Sequence, residues 1–455
     1  MAAAHHAMRP AEYPLKVSSD HRYLVDSSGR PFLIVGDTPQ GLMGRLTEKE
    51  ADYYFADREA HGFNTLGWID VACAGHDYPS NKFATTPDGI RPFNGFIHGG
   101  GSDYTHYDLS RPNEAYFTRL DHIVQLATSH QLLVFLDPIE TIGWLPVLRN
   151  NGMKAAYAYG QYLGKRYRHF RNVMWISGND FNNWRVPTDD ALVQEVAKGI
   201  RSVAPDQMQT VELNVFTSSS MDDPTWVPLI DLNSTYTYSP TYMQVLHSYN
   251  QKPIKPDYLV EAHYDLENVG EPPDFGTPNV LRREEYWTML SGGTGQFYGN
   301  KYTWSFADGW KDRLDTPGVA QLGIWKDFFS SIPWQHLVPD QDHSVVTSGF
   351  GSWGTLNKTR VSESDYATAA RTSDGAVVVA YVPTARTLTV DMANLRGPAK
   401  ARWFDPSDGT YKEISGSRFA NSGSHQFTPP GKNHDGDGDW VLLLEASAGP
   451  AGGAR

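Results

Sequence analysis

Cysteine is nearly absent: the 455 residues hold one, Cys73, so no internal disulfide can form and folding needs no oxidising compartment. No run of about 20 apolar residues exists, so a membrane partner reached through a spanning helix is excluded. Positive charge is scarce, with 39 Lys and Arg against 52 Asp and Glu and a net charge of -13. That argues against nucleic acid as a partner, because phosphate-backbone affinity comes largely from clustered Lys and Arg. Met1 to Pro10 lacks an apolar core, so it does not read as an intact signal peptide. Internal repeats and low-complexity tracts are absent. Ser291-Gly292-Gly293-Thr294-Gly295 resembles a phosphate loop, but no Lys-Ser/Thr follows it.

Aromatic rings, by contrast, are plentiful, with 13 Trp and 24 Tyr. Each has an apolar face and a polar handle, which suits packing against the C–H-rich face of a sugar, although large enzymes also bury such rings for stability alone. A length of 455 residues exceeds one compact domain and points to two. The sequence divides into an N-terminal tail (1–12), a first domain (13–340), a second (341–446) and a Gly/Ala-rich tail (447–455).

Eight short apolar runs alternate with amphipathic stretches in the first domain: Phe32–Val35, Phe63–Ile69, Leu132–Leu136, Val173–Ile176, Met208–Leu213, Leu229–Tyr238, Tyr258–Val260 and Gly295–Tyr298. Runs rich in Val, Ile, Phe and Trp and bounded by Gly, Asp, Asn or Pro read as buried parallel strands. Thr47 with Glu50 predicts a capping box opening a helix that stops near Gly62. Pro112 is expected in the first turn of a helix carrying Tyr116, Leu120, Ile123, Val124 and Ala127. Helical spacing recurs at Leu192, Val193, Val196 and Ile200, and at Val319, Leu322, Trp325 and Phe329. Eight strands alternating with helices over roughly 300 residues predict an α/β fold, a (β/α)8 TIM barrel. A doubly wound sheet is the alternative, but no Gly-rich phosphate turn follows its first strand. After Trp334, six strand-like runs (376–382, 388–392, 399–404, 411–414, 426–428 and 440–444) predict a small antiparallel β-sandwich. Residues 343–364 read as a loosely patterned connection.

In such a barrel, function sits where strands end. Those ends carry Asp37, Trp68, Asp70, Asp137, Asn179, Asp180, Glu212, Asn214, Tyr238, Glu261, His263, Tyr298 and Asn300. A lone Asp there is commonly a cap or an ion-pair partner. A ring of acids is harder to explain by structure, because clustered carboxylates repel and resist desolvation. Asp180 follows the fourth strand and Glu261 ends the seventh, on opposite sides of an eight-stranded barrel. Glycoside hydrolysis needs two carboxyls so disposed, one protonating the leaving oxygen and the other attacking the anomeric carbon. The expectation is therefore a retaining mechanism with a carboxyl separation of about 5–5.5 Å. Asp180 should hold a proton in the free enzyme and Glu261 should be ionised, held so by Asn179, His263 or Tyr238. Asp37, Asp70 and Asp137 are candidates for binding sugar hydroxyls, Trp68, Tyr238 and Trp304 for stacking, and Asn214 and Tyr298 for lining the mouth. Two carboxyls suffice for this chemistry, so no cofactor is expected.

An Asn just before the acid on strand four, with a Glu on strand seven, resembles the large clan A of retaining glycosidases. More specifically, the chain resembles glycoside hydrolase family 140, the apiosidase-like family. The resemblance rests on an ordered set of stretches: Leu15-Lys16-Val17-Ser18, Tyr23–Asp26, Pro31-Phe32 through Gly36-Asp37-Thr38, Arg45-Leu46-Thr47, Asp57-Arg58 and His61–Asn64. It continues through Val173–Ile176 with Gly178 and Asp180, Glu261 with Tyr264, Gly292–Gly299 and Trp304. Pro429–Lys432 and Asp439–Leu442 resemble the small β-domain that closes these proteins, often labelled a collagen-binding domain. The resemblance implies Asp180 as acid/base, Glu261 as nucleophile, an oligo- or polysaccharide substrate, release of apiose-linked pectic side chains, and a secreted or periplasmic location. Gln40 stands where an aromatic residue is expected, and Glu261-Ala262-His263-Tyr264-Asp265 departs from Glu-Pro-x-Tyr-Glu. Both departures are expected at substrate walls, and apiosides, arabinosides, xylosides and galactosides all stay open.

A metal-dependent barrel hydrolase would want His-x-His near strand one, which is missing, and no metal is expected. Asp435-Gly436-Asp437-Gly438-Asp439 offers clustered oxygens for calcium but lacks the downstream Glu of an EF-hand, and reads as an acidic loop. A catalytically inactive glycan-binding protein on a glycosidase barrel is the remaining alternative, opposed by the presence of both carboxyls.

Overall fold

The computed structural model describes residues 10–72, 83–97, 101, 103–213, 217–270, 272–416 and 418–447. Cys73, Asn214 and both chain ends lie outside them. All eight expected barrel strands form: Ile34–Asp37, Thr65–Asp70, Leu133–Asp137, Val173–Phe181, Gln209–Leu213, Asn233–Thr237, Asp257–Glu261 and Gly295–Tyr298. Parallel ladders run from the fifth strand back through the first, then through the eighth and seventh to the sixth. Between the fifth and sixth strands no ladder forms among the described residues. That seam is held instead by Ser220 and Ser234, whose hydroxyls donate to the Val211 carbonyl at 2.5 and 2.7 Å, and by Asp231 N–H to Gln209 O at 2.8 Å. A short antiparallel strand, Thr217–Ser219, pairs with the sixth. The fold is a nearly closed barrel.

The interior is filled rather than hollow. Leu133, Phe135, Met174, Ile176, Tyr258, Val260 and Phe297 form one buried cluster inside it. A Cβ at Gly36 or Gly67 would lie 2.4 Å from the Phe297 ring, so glycine on the first two strands makes room for it. Leu15, Leu24 and Phe32 belong to the same cluster and come from a three-stranded antiparallel meander (Lys16–Val17, Leu24–Val25, Pro31–Phe32) before the first barrel strand.

Helices wrap the outside. Thr47 makes the expected capping box with Glu50 at the start of Glu48–Ala60. The third-strand approach differs in detail: Pro112 lies before the helix Glu114–Ser129 rather than in its first turn, and Asn113 caps that helix, its side chain accepting the Ala115 N–H. Leu192, Val193, Val196 and Ile200 are buried on Pro187–Val203, and Val319, Leu322, Trp325 and Phe329 on Pro317–Ser330. No described helix is long and apolar enough to cross a membrane.

The C-terminal part is an antiparallel sandwich. One sheet has six strands in the order Leu337–Pro339, Thr368–Thr372, Val377–Val382, Trp440–Ala446, Ala399–Phe404 and Tyr411–Glu413. The other has three, Val346–Ser348, Leu388–Asp391 and Ser424–Phe427. Val378, Ala380, Val382, Trp440, Leu442 and Leu444 face the smaller sheet. Their neighbours Val379, Tyr381, Val441 and Leu443 instead join Tyr286, Trp287, Trp325 and Phe328 of the barrel helices. The central strands are thus buried on both faces, which is why Val377–Val382 shows no polar alternation. Arg282 of the helix Pro278–Leu290 reaches across this interface to Asp439 (3.0 and 2.9 Å) and Asp437 (2.7 Å), with Asp435 at 3.4 Å. The acidic run is therefore the counter-charge of a fully buried guanidinium.

Candidate active site

Strand alternation brings several of the side chains to the barrel mouth. Leu133 and Phe135 point inward, so Asp137 does too, and Tyr236 and Tyr238 follow the same two-residue period on the sixth strand. Glu261, at the end of the seventh, receives three phenols. Tyr236 and Tyr238 donate to Oε1 at 2.7 and 2.6 Å, and Tyr264 to Oε2 at 2.7 Å. No cation pairs with it among the described residues. Burial and the charge of Asp180 push the Glu261 carboxyl up to about 8, against the three tyrosines, which favour its ionised form.

Asp180 approaches from the fourth strand, half-buried, on a turn of unusual backbone. Gly178, Asn179 and Asp180 all have positive φ, +123°, +55° and +53°. Gly178 is required here, since a Cβ would lie 2.1 Å from the Glu212 carbonyl oxygen. Asn179 is buried, its side-chain amide 3.5 Å from Gln40 Oε1, and its carbonyl accepts the Thr141 hydroxyl at 3.0 Å. Gln40 in turn donates to the Tyr264 hydroxyl at 3.1 Å. Gln40 therefore contacts residues from both sides of the site. Asp265 does not: it turns outward to accept Tyr298 and Thr316 at 2.8 and 2.6 Å.

Two further buried carboxyls complete the cluster. Asp137 accepts the Ile139 N–H through Oδ1 at 2.9 Å, while Oδ2 has no partner. Glu212 accepts the Asp180 N–H through Oε2 at 3.2 Å, while Oε1 has none. Burial pushes both well above the usual carboxylate range, reinforced at Glu212 by the charges of Asp180, Glu261 and Asp137. Asp70 is buried beside Asp137 in the ladder.

Several expected site residues lie elsewhere. Asp37 points outward, because Gly36 takes the inward place, and it is held by Tyr54 (2.6 Å) and Arg58 (3.2 Å). Tyr298 likewise faces the helices, since its neighbour Phe297 fills the interior. Trp68 offers no stacking face: it is fully buried, edge-on to Phe297 at 5.8 Å, in a strand bulge with φ +47°. His263 is buried behind Tyr238, with Nδ1 2.6 Å from Glu284, and of the three residues expected to hold Glu261 only Tyr238 touches it. Trp304 is half-buried on the loop after the eighth strand, its carbonyl accepting the Gly41 N–H. Glu212 stands among the strand-end acids and Tyr264 beside Glu261 in the family motif, but neither was assigned a role, and Tyr236 lies within a run with no role assigned to it. The two-residue step back from Tyr238 is the signal that finds Tyr236.

Residues 18–336 match the family described as "Apiosidase-like, catalytic domain". The chain belongs to the apiosidase-like family. Residues 354–445 match "Putative collagen-binding domain of a collagenase". One similar solved structure, titled a glycoside hydrolase, superposes with a TM-score of 0.79 at 23% identity, covering 96% of this chain and 98% of that one. A glycoside hydrolase family 5 protein from Bacteroides vulgatus gives 0.79 at 22%, covering 96% and 94%. At these identities the likeness is one of fold. No curated protein sequence matches significantly. Apiosidase-like family membership and a glycoside hydrolase barrel together support glycosidase function.

Proposed function

We propose that this apiosidase-like protein is a retaining glycoside hydrolase of plant or microbial polysaccharide side chains, with Asp180 as acid/base and Glu261 as nucleophile. The observation that carries the reading is Glu261 itself, a buried carboxyl facing the charge of Asp180 and bound by three phenol donors and, among the described residues, no cation. Two such carboxyls titrate as a pair. When the shared proton sits on Asp180, the charge that raises Glu261 disappears, and the tyrosines hold Glu261 ionised. Asp180 then gives its proton to the glycosidic oxygen while a Glu261 oxygen bonds to the anomeric carbon, and the aglycone departs as an alcohol. In the second step Asp180 takes a proton from water, whose oxygen displaces Glu261. The phenols favour that step because they stabilise the carboxylate as it leaves.

Family membership favours an apioside, and a polymer substrate suits a secreted or periplasmic protein. A panel of nitrophenyl apiosides, arabinosides, xylosides and galactosides, beside pectic and arabinan polymers, tests the substrate. Asp180→Ala and Glu261→Ala test the roles. Loss of turnover in both, azide rescue of Asp180→Ala and a retained anomeric configuration are expected. Wild-type rates in both variants would overturn the assignment. Glycan binding without cleavage by any of the three proteins would favour the inactive binding protein.

A further inference from the structure

Left-handed backbone at two consecutive non-glycine residues, Asn179 and Asp180, is strained and persists only where the surroundings over-determine it. The ladder between the fourth and fifth strands also shifts register between Ser177 and Phe181. Glu212 meets this segment twice, its carbonyl against Gly178 and its carboxyl on the Asp180 N–H at 3.2 Å. Glu212 is 1% exposed, pairs with no cation among the described residues, and leaves Oε1 without a partner. A buried carboxyl so poorly satisfied costs stability that an apolar side chain would not.

We propose that Glu212 is a positioning residue: its carboxyl grips the Asp180 amide and holds the left-handed turn that presents Asp180 to Glu261. The role rests on reading Asp180 as the acid/base. Asp180, Glu261, Asp137, Tyr236 and Tyr258 all face Glu212 closely enough for charge to act between them. Burial and the three carboxylates favour a protonated Glu212, whose carbonyl oxygen still accepts the amide hydrogen without repelling Asp180. The grip therefore needs an acceptor at this place, not a charge, and glutamine can supply one.

Crystal structures of the full chain as wild type, Glu212→Gln and Glu212→Ala test this without a substrate. In Glu212→Gln the amide oxygen should accept the Asp180 N–H and all three φ angles stay positive. In Glu212→Ala, Asn179 or Asp180 should leave the left-handed region. An alanine variant that keeps the turn, or a glutamine variant that keeps it with no bond to Asp180 N–H, overturns the proposal. Kinetics supply the second readout, using 2,4-dinitrophenyl and phenyl glycosides of the sugar cleaved in the nitrophenyl panel. Glu212→Ala should lose about tenfold or more on the phenyl glycoside, which needs acid assistance, and far less on the dinitrophenyl one. Glu212→Gln should recover most of that loss. An equal loss on both substrates overturns the positioning role. If Asp180→Ala itself shows equal losses on both, the acid/base reading fails instead.

Discussion

Tyr238 donates a 2.6 Å hydrogen bond to Glu261 Oε1, the oxygen that Tyr236 reaches at 2.7 Å from the same strand face. Their hydroxyls lie 3.1 Å apart, and each phenol has one proton to give. Both protons are best used on the carboxylate, which places two donors on one oxygen and leaves Oε2 to Tyr264.

Tyr238→Phe removes one of these charge-assisted bonds, worth about 1.5–3 kcal/mol, and should lower kcat/KM about 10- to 100-fold. Because the phenol favours ionised Glu261, its loss raises the Glu261 carboxyl further. The acidic limb of the kcat/KM–pH profile should move to higher pH. An unmoved limb would mean that Tyr238 does not act on the titrating nucleophile.

Gln40 donates to Tyr264, which donates to Glu261, so the three form a relay. Gln40→Ala should reduce kcat/KM by about two- to tenfold, the worth of an uncharged hydrogen bond. In a Tyr264→Phe background the same change should cost little, and a double-mutant cycle measures the coupling. Full additivity would show that Gln40 works independently of Tyr264.

Arg282→Ala leaves Asp435, Asp437 and Asp439 without their shared cation inside the interdomain contact. Breaking a buried pair from one side costs about 3–5 kcal/mol, so thermal unfolding should shift markedly downward. Calcium and chelator should leave the wild-type Tm unchanged, since the guanidinium already sits where the oxygens of these carboxylates converge. A chelator-sensitive Tm would restore the calcium reading of the acidic run.

Glu285, on the same helix, is fully buried with Oε2 unpartnered. Burial, with the charges of Glu284 and Asp265 added and Arg282 opposed, pushes it from 4.5 to about 8. The folded chain keeps this proton where the unfolded chain has lost it, so stability declines as pH rises from about 4.5 toward 8. Glu285→Gln should raise Tm at pH 7 and leave it nearly unchanged at pH 4. Equal shifts at both values would point to packing rather than ionisation.

Much of the barrel was legible because each strand and helix is a local pattern. The eight runs fell on the eight strands, and the Thr47–Glu50 box on its helix. Six sandwich strands were legible for the same reason. Leu337–Pro339, Val346–Ser348 and Thr368–Thr372 were not, being short segments that owe their form to the strands beside them. The run 229–238 overstated its strand, which begins at Asn233, and so hid the shared face of Tyr236 and Tyr238.

The order of strands and helices, and the acids standing at the strand ends, follow from the sequence by itself, because hydrophobic periodicity and turn residues are written along the chain. Which way each end residue faces was decided only by the tertiary structure. In a parallel barrel both faces of every strand are buried, so inward Phe297 and outward Tyr298 look alike, as do Asp37 and Asp137. The turn at Asp180 is tertiary in the same sense. Its left-handed backbone is held from the neighbouring strand by Glu212, a contact between residues 32 positions apart that no local pattern records.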